Sequence, residues 1–281
     1  MSAQRDVFIE VIHRAARADP NIIFLTADFG APALDLFRAD CPKQVMHVGI
    51  SEQNMISVAT GLALSGKRVY VYAMSPFFAR CYEQLKVAAL QEAKFTVVSV
   101  GGGLGYAGAG PSHYALEDIA LYRTLIGAWI YSASDTTLAR QFAEMTLGAP
   151  RLRVIRLERS DKMLYNDRVI AIDGYARWDG KGIPVVTCGY LVDYFLKQGR
   201  PVFDVFRIKP LSHGLLAYLS EDIEIHTYEE QFLDGGFGEA IAAALSGCRT
   251  TVVRHGMPER PLIENGKRDE LLENAWAQSY T

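Results

Sequence analysis

The sequence is poor in cysteine, and its four cysteines are scattered without a Cys-x-x-Cys pair. Such spacing is typical of reduced, mostly buried thiols, and it predicts a cytoplasmic protein without a disulfide framework. No charge of one sign dominates either, because the formal net charge is only −3. A near-neutral chain offers no electrostatic footprint for nucleic acid or for an anionic membrane surface.

Long hydrophobic runs and low-complexity segments are also missing. No apolar run approaches the length of a membrane span, and residues 1–10 lack the apolar centre of a signal peptide. These absences predict a soluble, intracellular protein. The remaining composition, 49% hydrophobic and 22% charged, is ordinary for a globular chain, and 281 residues suffice for one large domain or two modest ones.

What is present is an alternation of helical and strand patterns. Residues 3–17 have apolar positions at helical spacing, which predicts a helix. Short apolar runs bounded by turn residues have the character of buried parallel strands; they cover residues 22–27, 45–48, 69–73 and 95–100. This alternation predicts an α/β fold, an open, mostly parallel sheet with helices on both faces.

The strand ends of such a sheet also predict where a site should lie, because ligands bind beyond the carboxyl ends of parallel strands. Asp28, Glu52, residues 74–78 and the loop that begins at Gly101 all follow predicted strands. We therefore expect these residues to converge on one edge of the sheet.

The stretch around Glu52 places a carboxylate at the start of an apolar helix. A turn at Gly49 leads to Ser51, an N-cap residue type, and to a helix predicted over residues 51–64. That helix is apolar almost all round, which is typical of a buried helix. Glu52 is then either a solvated first-turn carboxylate favoured by the helix dipole or a partly desolvated acid.

The pentapeptide Gly49-Ile50-Ser51-Glu52-Gln53 resembles the segment by which transketolases, deoxyxylulose-phosphate synthases and the β subunits of 2-oxoacid dehydrogenases present a cofactor-activating glutamate. The resemblance implies that Glu52 hydrogen-bonds to the aminopyrimidine of thiamine diphosphate and so promotes deprotonation of the thiazolium carbon. Residues 75–82 resemble the stretch whose aromatic side chain stacks on that ring. The resemblance implies Phe77 in this role with Phe78 second, although both rings also fit core packing.

The loop over residues 101–113 is unusually rich in glycine. Such a loop after a strand can be a phosphate cradle or Rossmann turn, but no Gly-x-Gly-x-x-Gly opens a helix here. A mobile surface loop is the bland alternative, although glycine also permits close backbone approach to a ligand. Residues 108–113 resemble the Gly-x-Asp-Gly-Pro-Thr-His element of transketolases, which implies that His113 contacts the substrate near the reacting carbon.

Two further charged residues follow predicted strands. Arg159 stands where transketolases carry an arginine that binds the sugar phosphate, although residues 158–162 also fit a solvated charge cluster. Asp28 resembles a family aspartate near the cofactor. The sequence departs from the family at Ala109 and Gly101, where transketolases have an aspartate that reads a donor hydroxyl and a histidine near the phosphate path. These departures leave the sugar substrates open.

The strand and helix pattern decays after residue 162 and restarts near residue 182. We expect a pyrimidine-binding-like domain over residues 1–162, a linker over 163–181 and a smaller α/β domain over 182–281. Three segments resemble the transketolase C-terminal domain, which implies a structural role in dimer contacts; they are residues 206–211, 227–230 and 235–239.

One family element is missing, the Gly-Asp-Gly sequence that with a later asparagine holds Mg²⁺ and the cofactor diphosphate. Asp234-Gly235-Gly236 is the nearest fragment, and it lies in the other domain. Magnesium with a diphosphate needs such oxygen ligands. The resemblance therefore corresponds to the C-terminal half of a full transketolase. It implies a subunit that works with an N-terminal, diphosphate-binding transketolase-like partner, in an α2β2 assembly.

We therefore predict a transketolase-like transferase subunit that moves a two-carbon ketol unit from a ketose or ketose phosphate to an aldose. Its cofactors are thiamine diphosphate and Mg²⁺, with the metal ligands in the partner. One alternative is a β subunit of a 2-oxoacid decarboxylating or dehydrogenase enzyme, and another is a non-catalytic scaffolding homologue. The predicted catalytic residues are Glu52 and His113, the cofactor-binding residues Glu52, Phe77, Phe78 and Asp28, and the substrate-binding residues His113 and Arg159.

Overall fold

The computed structural model describes residues 2–27, 30–165, 173–221 and 223–278, so that Asp28 lies outside the described residues. The helices in these ranges are α1 (Gln4–Ala16), α2 (Pro32–Asp40), α3 (Glu52–Leu64), α4 (Tyr82–Leu90), α5 (Asp118–Arg123), α6 (Thr136–Thr146), α7 (Leu191–Lys197), α8 (His213–Leu219), α9 (Phe237–Ala244) and α10 (Arg268–Gln278). The strands are β1 (Ile22–Thr26), β2 (Val45–His47), β3 (Arg68–Met74), β4 (Thr96–Val100), β5 (Trp129–Ser132), β6 (Arg153–Leu157), β7 (Ala176–Trp178), β8 (Val185–Thr187), β9 (Val202–Asp204), β10 (Arg207–Lys209), β11 (Glu224–Phe232) and β12 (Thr251–Met257).

A seven-stranded sheet organises the first half of the chain, in the order β10-β5-β6-β4-β3-β1-β2. All its pairings are parallel except that of β10 with β5. Strands β1, β4 and β6 are buried along their whole length, as expected where helices cover both faces. The predicted α/β fold with a mostly parallel sheet is confirmed.

The two faces of this sheet carry separate hydrophobic clusters. On one face, Phe8 of α1 and Phe37 of α2 pack with Phe24 of β1. On the other, Met55 of α3 and Leu85 of α4 pack in the same cluster as residues of β3 and β4. The layers therefore form because each helix buries one apolar stripe against the pleated surface.

A second, five-stranded sheet has the order β12-β11-β8-β9-β7, and only the pairing of β7 with β9 is antiparallel. Two strands were not expected from the sequence: β7, which lies in the predicted linker, and β10, which joins the first sheet. Each is an edge strand of three residues, too short to show a period. The exact domain boundaries stay a prediction.

Two helices differ from their predicted form. The alternating pattern of strands and helices also predicts one helix over residues 76–91, but this segment begins as a 3₁₀ turn, Ser75–Cys81, before α4. Proline at its start removes one N–H donor, and the Cys81 thiol donates to the Phe78 carbonyl at 3.2 Å. Helix α3 buries only one face in this chain, since Leu64 is 57% exposed.

Among the described residues, each helix is too short or too polar to cross a membrane.

Candidate active site

The carboxyl ends of the central strands lie level with one another. Thr26 of β1 pairs with Tyr72 of β3, and Met74 of β3 is in register with Val100 of β4, which pairs with Leu157 of β6. The segments that follow these strands therefore meet at one edge of the sheet. They carry Glu52, Phe77, His113 and Arg159, so the predicted convergence holds for the described residues.

Glu52 is the first residue of α3 and is only 6% exposed. A left-handed turn at Gly49, with φ of 82°, brings the chain from β2 into this helix, and the Ser51 side chain makes no capping hydrogen bond. Within the described ranges the Glu52 carboxylate has no hydrogen-bond or ion-pair partner. Of the two interpretations from sequence, the desolvated acid is the one the structure supports. A buried carboxylate without a partner is costly to keep, and such groups concentrate at functional sites.

Cys81 is the last residue of the 3₁₀ turn, and it lies near Glu52 at the start of α3. Its thiol is fully buried, and this burial, together with the nearby charge of Glu52, raises the pKa of Cys81 to about 12. The thiol is therefore neutral and structural. Its position shows that the turn with Phe77 and Phe78 lies against the same end of α3 as Glu52.

The two phenylalanines of this turn have different surroundings. Phe78 is 1% exposed and belongs to the hydrophobic core, whereas Phe77 is half-buried. The Phe77 ring meets the His113 ring edge to face, with 5.8 Å between the ring centroids. The structure therefore brings two predicted site residues together, and Phe77 is the one with a ring available to a ligand.

The glycine loop shapes the position of His113. Gly110 has φ of 86°, a conformation that favours glycine, and its carbonyl accepts the His113 backbone N–H at 2.9 Å. The His113 Nδ1 atom lies 3.0 Å from the Ser112 hydroxyl. The imidazole is half-buried, so one ring nitrogen is engaged locally and the ring remains accessible at the sheet edge.

The start of the loop explains why glycine stands at position 101. Gly101 has φ of 76°, and a Cβ atom there would lie 2.2 Å from Cε2 of Tyr106. The Tyr106 ring thus occupies the space of a side chain at position 101. Arg159 is exposed, with its guanidinium 5.5 Å from the centre of that ring. Among the described contacts, none joins Arg159 to Glu52 or His113.

Beneath the loop lies a buried ion-pair network that the sequence did not reveal. Arg268 of α10 donates to Glu158 at 2.9 Å and to Glu230 at 2.6 Å, and its guanidinium lies 3.4 Å from the Gly102 carbonyl. A Cβ atom at Gly103 would lie 2.5 Å from that of Glu230. The second half of the chain therefore packs directly against the glycine loop. These partners are far apart in sequence, and no local pattern predicts their pairing.

In the described ranges, no three His, Cys, Asp or Glu side chains form a group that could hold a metal ion.

Comparison with known proteins now gives the class of the chain. Residues 1–163 match the family described as "Transketolase, pyrimidine binding domain". The chain therefore belongs to the transketolase family, and membership implies thiamine diphosphate as the cofactor. A buried carboxylate, Glu52, and a half-buried aromatic ring, Phe77, at the same edge of the sheet are groups that fit the aminopyrimidine end of that cofactor.

Particular relatives refine this placement. The chain is 28% identical over 286 residues to a subunit of the apulose-4-phosphate transketolase of Phocaeicola vulgatus, a match that covers 96% of this chain and 92% of that protein. It is 27% identical to human transketolase, but there the match covers 96% of this chain and only 46% of the relative. The chain thus spans about half the length of the single-chain transketolases.

Solved structures agree on the fold. A "Split gene transketolase, inactive beta4 tetramer" superposes with a TM-score of 0.83 at 23% identity, covering 98% of this chain and 94% of the other. The transketolase of Campylobacter jejuni superposes with a TM-score of 0.72 at 14% identity, covering 98% of this chain and 44% of the other. Both sheets therefore have counterparts in transketolases.

Proposed function

We propose that this chain is the C-terminal subunit of a split transketolase-like enzyme that transfers a two-carbon ketol unit from a ketose or ketose phosphate to an aldose. One observation carries the proposal: the buried Glu52 carboxylate lies without a described partner at the sheet edge that also presents Phe77 and His113. The names of the relatives support it, since one is a separate transketolase subunit and another a split-gene transketolase.

The other half of the site belongs, in this proposal, to an N-terminal, diphosphate-binding subunit. That partner holds the diphosphate and its Mg²⁺ through oxygen ligands and forms an α2β2 assembly with this chain in the cytoplasm. Support comes from the half-length match to single-chain transketolases. Exposed apolar side chains stand at the two ends of α3, with Ile50 just before it 76% exposed and Leu64 at its end 57% exposed, and a partner subunit would cover them.

Thiamine diphosphate, when bound, supplies the electron sink for cleavage of the carbon–carbon bond. Glu52 binds a ring nitrogen of the aminopyrimidine and holds the shared proton, because its burial keeps water from competing for the carboxylate. Phe77 orients the ring by stacking, and Phe78 is second in this role because its ring is enclosed. Because it resembles a family aspartate, Asp28 is proposed as a further cofactor-binding residue.

His113 and Arg159 act on the sugar. His113 exchanges a proton with a substrate oxygen near the reacting carbon, a task suited to an imidazole held by Ser112. Arg159 is an exposed guanidinium, and it binds the phosphate of a phosphorylated sugar. The Tyr106 ring beside it narrows this end of the site, so the preferred sugar differs from that of enzymes with a histidine at position 101.

The test is to express the chain with candidate diphosphate-binding subunits, purify the complex and assay ketol transfer from ketose phosphates to aldoses. We expect activity from the pair only, and no tight binding of thiamine diphosphate and Mg²⁺ by this chain alone in calorimetry. Turnover of pyruvate or branched 2-oxoacids instead would assign the chain to the 2-oxoacid dehydrogenase β subunits. Failure of every such candidate to form a stable complex would favour the scaffolding alternative.

A further inference from the structure

The opposite edge of the first sheet carries a second concave surface. The amino ends of β4, β5 and β6 are level there, because Thr96 and Trp129 both pair with Arg153. Two cavities of about 80 and 320 Å³ lie at this edge and share the residues Lys94, Pro150 and Arg151. We call them together the amino-edge cleft. It is separated from the candidate active site by the length of the strands.

Positive charge is concentrated in this cleft. Five cationic side chains line it, and Glu92 is the one acidic residue among the lining residues; the cations are Lys67, Arg68, Lys94, Arg151 and Arg153. In the described part of the chain none of the five forms an ion pair, whereas Arg156 and Arg268 do. Like charges that lie close together repel one another, so a bound anion would reduce the repulsion between these five side chains.

Two of the five cations are fixed in place by backbone carbonyls. Arg68 donates through Nη1 to the carbonyls of Thr146 and Gly148 at 2.7 and 2.9 Å, and Arg153 donates through Nη2 to Ala149 at 2.8 Å. These bonds use one nitrogen of each guanidinium. Arg153 is only 6% exposed, yet among the residues that the structure describes its Nε has no hydrogen-bond partner. A buried donor left without an acceptor is the second sign of a missing ligand.

The electrostatic environment of Arg153 also favours a bound anion. Burial, together with the neighbouring charges of Arg151 and Arg68, lowers the pKa of the Arg153 guanidinium from its ordinary value, although it stays protonated. The Arg153 guanidinium therefore keeps its positive charge although burial and the charges of Arg151 and Arg68 both disfavour it.

We propose that the amino-edge cleft binds a phosphate monoester carried by a small organic molecule. The smaller cavity is lined by all five cations and takes the phosphate, whose oxygens match the planar donor forks of the arginines. The wider cavity takes the organic part, since its lining adds apolar side chains such as Ile126, Leu152 and Ala93. This site is independent of the proposed ketol transfer.

Calorimetric titration of the purified chain with phenyl phosphate and with inorganic phosphate, at low ionic strength, tests the proposal. The test variant is the double substitution Lys94→Gln with Arg151→Gln, because both side chains are exposed and their loss leaves the core intact. The matched control is Lys43→Gln with Lys86→Gln, two exposed lysines outside the cleft. A third variant, Arg159→Gln, removes the exposed guanidinium at the opposite sheet edge.

We expect one site for phenyl phosphate, tighter than for inorganic phosphate, with affinity reduced about tenfold or more by the cleft variant because two charged donors are lost. The control and Arg159→Gln should bind as the unchanged chain does. Absence of saturable binding, or binding weakened by Arg159→Gln and not by the cleft variant, would overturn the site. Equal affinities for the two anions would overturn the organic part and leave a site for the free anion.

Discussion

Three of the buried glutamates differ in what surrounds them. Glu158 and Glu230 are 8% and 6% exposed, and both accept hydrogen bonds from Arg268. Glu52 is also 6% exposed, but no cation in the described part of the chain pairs with it. Glutamates of similar burial thus differ in whether a cation pairs with them.

The difference indicates which of these carboxylates stabilise the fold and which one can bind a ligand. A paired buried carboxylate is neutralised by its partner and has little capacity left for a ligand. An unpaired one retains acceptor capacity for a ring nitrogen, and a cofactor that brings a donor relieves its desolvation. We therefore interpret Arg268 with its two glutamates as the support of the glycine loop, and Glu52 as a carboxylate that keeps acceptor capacity for a ligand.

The largest expected effect comes from neutralising the unpaired carboxylate. Glu52→Gln in the reconstituted two-subunit enzyme should lower kcat for ketol transfer by about 10²- to 10⁴-fold, the usual contribution of a group that handles a proton in the reaction. The variant chain should unfold at no lower denaturant concentration, because no ion pair is broken. Steady-state kinetics and urea denaturation measure the two quantities.

Glu83→Gln is the matched control for this substitution. Glu83 lies in the first turn of the neighbouring helix α4, as Glu52 lies in that of α3, but its side chain is exposed. We expect unchanged kcat and unchanged stability. Full activity of the Glu52 variant would show that the lack of a cationic partner does not mark a functional glutamate, and Glu52 would not be the activator.

The converse effect should follow from removing the cation of the paired set. Arg268→Ala leaves Glu158 and Glu230 buried beside each other without their partner, so we expect a loss of about 3 to 5 kcal/mol in the free energy of unfolding. Urea denaturation of this chain measures the loss. Arg268→Lys keeps one charge and should fold if the alanine variant does not.

Arg38→Ala serves as the control, since Arg38 is exposed and its ion-pair partner among the described residues is the exposed Asp35. Such a surface pair contributes about 0 to 1 kcal/mol. A loss at Arg268 no larger than that at Arg38 would show that the buried network contributes no support to the glycine loop.

Asp204 offers a third arrangement, a buried carboxylate held by hydroxyl groups and not by a cation. It is fully buried and accepts a hydrogen bond from Tyr165 at 2.7 Å and another from Ser134, and its Oδ1 has no partner in the described part of the chain. Burial raises the pKa of Asp204 to about 7, against the opposing effect of the two hydroxyl donors. The folded chain therefore binds this proton more tightly than the unfolded chain does.

The sign of the pH effect follows from that difference. The contribution of the Asp204 proton to stability is complete below about pH 4 and is lost as the pH rises through about 7, a change of about 4 kcal/mol. Asp204→Asn should flatten this part of the stability profile, measured by urea denaturation at pH 4 to 8. The control is Asp179→Asn at an exposed position, which should leave the slope of stability against pH unchanged. An unchanged slope in the Asp204 variant would contradict the expected titration.

Local sequence patterns sufficed for the part of the site that follows strand ends. Glu52, Phe77 and His113 each come shortly after a strand of the first sheet, and parallel pairing places such residues at one edge. The fold class was predictable for the same reason, because buried parallel strands are continuous apolar runs with clear ends.

What the sequence could not supply depends on long-range packing. The pairing of Arg268 with Glu158 and Glu230 joins residues far apart in the chain, and neither short edge strand, β7 or β10, has enough residues to show a period. The space filled by Tyr106 beside Gly101 depends on the loop closing on itself. Such contacts are set by tertiary packing, and the local pattern is compatible with many of them.

The smallest effect separates the two neighbouring phenylalanines. Phe77→Leu keeps an apolar side chain but removes the flat ring next to His113, so cofactor affinity of the assembled enzyme should fall about 2- to 10-fold, the worth of one aromatic contact. Phe78→Leu should instead lower the free energy of unfolding by about 1 kcal/mol without changing that affinity, because its ring lies in the core. Calorimetry with thiamine diphosphate and Mg²⁺, paired with urea denaturation, measures both. If Phe78→Leu weakened cofactor binding and Phe77→Leu did not, the stacking role would pass to Phe78, and the half-buried ring beside His113 would belong to the loop alone.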